Sequence, residues 1–179
     1  MKVGGVLRQH QSSPPPSSSS LTLPLAMSMP IPVSQLLSLR DGLLRRHCAM
    51  VGGDKTTGNW WLRLQDIEMG YWPKELIPSL EGGADVLTAG GEIYNSRSNE
   101  KHTGTQMGSD HFSSEGFKRS SFLKNVQVLD SSYSYSVPEK PIATAESPNC
   151  YDIQVGKEKD GSWGYFFFYG GPGSSEKCT

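Results

Sequence analysis

Few side chains in this sequence stand where they could do chemistry. Glu92 lies in Gly90-Gly91-Glu92-Ile93, a carboxylate beside glycines that let a substrate backbone come close. Taken alone, a glutamate on a strand is more often a solvated carboxylate than a general acid or base. His102, Asp110 and His111 fall within ten positions of one another. Such a group is more often a polar loop than a metal site. No H-E-x-x-H or C-x-x-C occurs, so zinc has no local support and no metal is expected. Gly52-Gly53-Asp54-Lys55-Thr56 matches only the end of a phosphate-binding loop, and Asp54 would repel a phosphate. No cofactor-binding pattern is evident. Cys150 and Cys178 are an obvious disulfide pair, each just outside an aromatic strand; two independent buried thiols are the alternative.

The elements that must position these residues read as β-structure. Asp54 to Gly58 is a turn by composition. Trp60, Leu62 and Leu64 then alternate with Trp61, Arg63 and Gln65, the period of a half-buried strand. Ile77, Leu80 and Ala84 have helical spacing, but Gly82 and Gly83 limit a helix there to about two turns. Further strands are expected at 91–96, 102–108, 121–130 and around Tyr151, Ile153 and Val155. Trp163 to Tyr169 is almost wholly aromatic, so both of its faces should be covered. Short strands and frequent turns point to an all-β fold, a sandwich or a barrel.

The chain divides by composition. No Phe, Trp or Tyr precedes Trp60, and half of the 12 prolines fall before residue 51. Residues 1–50 hold five basic residues and one acidic residue; the rest is acidic in balance. A Ser/Pro-rich segment without aromatics cannot offset its chain entropy by burial, so 1–33 is expected to be disordered. Ser34 could cap a short helix over 34–50. The division is therefore a leader, 1–53, and a folded segment, 54–179. Cys48 goes with the leader and has no evident partner.

A net charge of −1 argues against nucleic-acid binding through a general basic surface. No apolar run approaches the ~18 residues of a membrane-spanning helix. The leader shows no clear secretory signal, because Pro24 and Pro30 interrupt its apolar stretch. Its Ser-rich, acid-poor composition suits an organellar transit peptide better.

Several motifs occur in a fixed order: Thr57-Gly58-Asn59-Trp60-Trp61-Leu62, Gly70-Tyr71-Trp72-Pro73 and Gly90-Gly91-Glu92-Ile93 come first. His102, Thr105-Gln106-Met107-Gly108-Ser109, His111-Phe112 and Glu115-Gly116-Phe117 follow. Asn149-Cys150-Tyr151-Asp152, Tyr169-Gly170-Gly171-Pro172-Gly173 and Cys178 complete the series. In combination they resemble the C-terminal part of the catalytic domain of the plant neprosin family, over about residues 54–179.

The resemblance implies a secreted glutamic peptidase with a β-sandwich domain, cleaving proteins next to proline. Two glutamates face each other across a cleft. One takes a proton from the attacking water, and the other protonates or polarises the scissile amide. By motif position Glu92 corresponds to the second of these. The first belongs to the preceding half of the family's domain, and neither Glu68 nor Glu75 lies in a matching context. The sequence is thus expected to be a truncated, inactive member: a partial antiparallel β-sandwich preceded by a disordered leader. An open sheet in such a fragment would call for a second chain, or serve as a non-catalytic binding face.

Overall fold

The computed structural model describes residues 2–10, 20–21, 49–64, 67–84, 86–95, 101–129 and 134–178. Its strands are β1 (Lys2–His10), β2 (Ser20–Leu21), β3 (Ala49–Gly53), β4 (Trp60–Leu64), β5 (Ile67–Trp72) and β6 (Val86–Tyr94). They continue with β7 (Ser121–Leu123), β8 (Val128–Leu129), β9 (Tyr135–Ser136), β10 (Ile142–Ala145), β11 (Asp152–Lys157) and β12 (Tyr165–Gly170). Among the described residues helix is confined to single 3-10 turns at Lys74–Leu76, Pro78–Leu80 and Ser113–Glu115. The fold is all-β.

Among the described residues four sheets form, in the orders β10-β1-β6-β2, β11-β12-β7, β3-β4-β5 and β8-β9. Every pairing is antiparallel except the short parallel contact of β2 with β6. The first two sheets share a core. Ile93 of β6 joins Met107, Val126, Cys150, Tyr151 and Cys178 around Tyr165, Phe167 and Tyr169 of β12. Period-two alternation explains β12: its odd-numbered residues are buried, while Phe166 and Phe168 on the other face are half-buried. The covering expected on both faces of this aromatic run is therefore complete on one. The outer face carries a ladder in which Phe117, Phe122, Trp163, Phe166 and Phe168 pack with ring centroids 5.1–6.0 Å apart.

The turn at 54–58 closes as its composition suggests. The Gly58 amide donates to Asp54 O at 2.7 Å, and the Thr56 amide and Thr57 hydroxyl donate to the Asp54 carboxylate. The bond from Thr57, then that from Thr56, holds the Asp54 carboxyl below the usual aspartate range. The Trp60–Leu64 alternation becomes β4, with Trp61 against Tyr71 of β5 at 4.8 Å. A register shift between Leu62 and Arg63 bends this hairpin. The helical spacing at 77–84 gives only the two 3-10 turns, where Pro73 and Pro78 open them and Gly83 ends them.

Two expected strands are altered. Residues 102–108 form no ladder apart from a bridge between Met107 and Gly171. Side chains occupy the backbone there instead: the Thr103 amide donates to Asn95 Oδ1 and the Thr105 amide to Thr103 Oγ1. The stretch 121–130 splits into β7 and β8 because Asn125 takes a left-handed conformation, φ 51°, and donates its amide to Trp163 O at 2.7 Å.

Much of the segment read as a leader, including 11–19 and 22–48, lies outside the described residues, and with it nearly all of the helix expected at 34–50. The described pieces are strands. β1 pairs along all nine residues of β6, and β3 pairs along β4.

Candidate active site

Glu92 is carried by a strand with its own rigidity. β1 runs antiparallel along it, with Gly4 opposite Glu92, and β2 pairs with Val86 and Leu87 on the other edge. Alternation fixes which way Glu92 faces. Ile93 is buried in the core, and a Cβ on Gly91 would lie 2.7 Å from Met107 Cγ and 3.0 Å from Tyr169 Cε2. Gly91 therefore lets the strand seat directly on the core. Glu92 and Tyr94 turn to the opposite face, where Glu92 is half-buried and Tyr94 is exposed. Gly4, across the ladder, adds no side chain. The result is a half-buried carboxylate held within a paired strand, opposite a glycine.

Among the described residues, carboxylates near it by topology are sparse. Glu92 is the sole acidic residue in the four strands of its sheet. Glu146 directly follows β10 and is exposed, on the far side of β1.

The other motif residues build the scaffold. The Met107 amide donates to Gly171 O at 2.9 Å, and the Gly171 amide donates back at 3.3 Å. Gly171 must be glycine, since its φ is 150° and a Cβ would lie 2.9 Å from Tyr151 Cα. The Tyr151 hydroxyl donates to Thr105 O at 2.7 Å. Asp152 accepts from the Ser113 amide at 2.6 Å and the Ser113 hydroxyl at 2.8 Å, tying the 3-10 turn to β11. Sequence reasoning did not assign that role to Asp152, and nothing local to either residue signals it.

The His102, Asp110 and His111 group comes apart. Asp110, His111, Glu115 and Arg119 form a chain of ion pairs, with His111 Nδ1 at 2.9 Å and Arg119 Nε at 3.1 Å from Glu115 Oε2. The Phe112 amide also donates to Glu115 Oε1 at 3.2 Å, while the Glu115 amide donates to the Phe112 carbonyl. Burial acts to raise the Glu115 pKa, but the hydrogen bond and charge of His111, then Arg119 and the Phe112 amide, outweigh it and leave it lowered. His102 lies elsewhere, packed on Tyr151 with ring centroids 5.5 Å apart.

Cys150 and Cys178 are bonded as a disulfide with Cα atoms 5.0 Å apart, the expected pair. Both are buried. His102 brings a ring nitrogen within 4.8 Å of both sulfurs. That neighbourhood spans 76 positions of sequence, from 102 to 178, and no spacing rule could have announced it.

An open hollow of about 300 Å³ is lined by Phe112, Pro172, Ser175, Glu176 and Lys177, and Glu92 is not part of its wall. No helix among the described residues is long and apolar enough to cross a membrane. The family model described as Neprosin matches residues 32–172, beginning within the segment read as the leader.

Proposed function

The chain belongs to the Neprosin family, and from that premise we propose that Glu92 is one of the two carboxylates of a glutamic endopeptidase site acting next to proline. The observation that carries the reading is the setting of Glu92. It is a half-buried carboxylate on the outward face of β6, held rigid by a core-seated Gly91 and opposite a glycine in the neighbouring strand. An extended peptide could lie against such a face with its backbone close to the carboxylate. In the reaction one glutamate takes a proton from water as it adds to the peptide carbonyl, and the other protonates the leaving amide nitrogen.

One carboxylate cannot hold both protonation states at once. Neither Glu68 nor Glu75 stands in a context that matches the family's other glutamate, so the chain by itself is expected to lack peptidase activity. Purified chain incubated at pH 3–5 with proline-containing peptides is expected to give no cleavage by mass spectrometry. Cleavage that disappears in E92Q would overturn this. The compartment proposed is the secretory one, by family; the Cys150–Cys178 bridge suits it.

The aromatic ladder favours a second reading. Phe117 is 42% exposed, and its neighbours Phe122, Trp163, Phe166 and Phe168 are only half-buried. A non-catalytic module would use this face to bind a partner chain. Light scattering separates the two: a stable, non-associating monomer speaks against a face that needs covering.

A further inference from the structure

The His102, Cys150 and Cys178 group plays no part in the peptidase reading, and its geometry goes further than a disulfide needs. His102 Nδ1 lies 3.0 Å from Thr103 O. A carbonyl oxygen only accepts, so Nδ1 carries the proton and donates it. Nε2 then keeps its lone pair, and it is buried with no hydrogen-bond partner. A backbone carbonyl fixing one ring nitrogen while the other stays available is how metal-ligating histidines are commonly held. The support is firm: Thr103 is pinned to Asn95 Oδ1 at 3.1 Å, and the ring packs on the fully buried Tyr151.

We propose that these three residues are a redox-gated zinc site. Oxidised, the sulfurs form the observed disulfide. A dithiol reductant converts it to two thiols, giving up two electrons and two protons and becoming a disulfide itself. One Zn²⁺ then binds Cys150 Sγ, Cys178 Sγ and His102 Nε2, with water in the fourth position. The two thiol protons go to solvent; the imidazole binds as the neutral base and releases none. Two thiolates cancel the charge of the ion, so the buried site carries no net charge. Tetrahedral zinc places such ligand atoms about 3.5–3.8 Å apart. The present atoms lie within 4.8 Å of one another, so side-chain adjustment closes the difference once the sulfurs separate.

The test uses the full chain carrying C48S, which removes the only other thiol. It is reduced with dithiothreitol, desalted under argon and titrated with Co²⁺ as a spectroscopic substitute for zinc, with Zn²⁺ competition afterwards. The expected result is one Co²⁺ per reduced chain. It should show near-ultraviolet thiolate-to-cobalt charge transfer and the strong visible bands of a tetrahedral site, and the oxidised chain should show neither. C150S and C178S should abolish the bands, and H102Q should weaken binding at least tenfold. Far-ultraviolet circular dichroism follows the sheet at each step, and the metal-loaded reduced chain should retain the oxidised signal. The proposal is overturned if the reduced chain binds no more cobalt than the oxidised chain. It is equally overturned if H102Q binds as tightly as its parent, or if the reduced chain stays unfolded when metal is added.

Discussion

At the scale of single residues, chemistry and scaffold separate cleanly. Glu92 stands out only through the family motif that contains it, since a lone glutamate on a strand reads as a solvated carboxylate, and its catalytic role is a proposal. Gly91 explains why the motif is rigid. G91A would drive a methyl group into Met107 and Tyr169, and overpacking of this kind costs about 1–3 kcal/mol. Urea denaturation should show that loss as a lower midpoint with an unchanged slope. Asp152 read as part of a motif but not as a scaffold residue. D152A leaves the buried Ser113 amide and hydroxyl without their acceptor, with an expected loss of about 1–3 kcal/mol. D152N should lose less, since its amide oxygen still accepts one bond. Glu115 gives a pH dependence. Its carboxyl is lowered in the fold, so its contribution is present above the ordinary glutamate pKa and disappears as pH falls through the lowered folded value. Amide exchange at Ser113–Gly116 should therefore speed up on acidification relative to an E115Q variant, in which the dependence is absent.

At the scale of elements, the strands with a strict period were legible and those made by distant partners were not. β4 and β12 follow from alternation in their own residues, and the disulfide from two cysteines at strand ends. The strand expected at 91–96 starts earlier, at Val86, because β6 is extended by its pairing with β1. That pairing joins residues far apart in sequence and leaves no local trace. The stretch 102–108 looked like a strand because it is rich in Thr, yet those same hydroxyls and the Asn95 amide hold the backbone out of any ladder. Removing the Cys150–Cys178 bridge, which closes a separation of 28 residues, should lower stability by about 2–4 kcal/mol. A metal-free thermal melt of C150A/C178A against the oxidised chain measures it.

At the scale of the whole molecule, one buried core couples two sheets, and each sheet has a face the core does not cover. Composition predicted the all-β class and the acidic, aromatic segment that carries the core. It could not predict which faces stay open, since that depends on which strands meet. Among the described residues, Glu92 lies on the face of β6 turned away from the core, and the aromatic ladder lines the outer face of the β12 sheet. The proposal that Glu92 is catalytic rests on the family match. The most direct test of that assignment is a chimera in which residues 54–179 replace the corresponding segment of a full-length, active member of the family. Its cleavage of a proline-containing peptide is followed at acidic pH. The account predicts that the chimera cleaves and that the same chimera with E92Q, folded by circular dichroism, has lost at least 100-fold in kcat/KM, on the order of what a positioned acid or base supplies. An E92Q chimera that cleaves at the parental rate would contradict it.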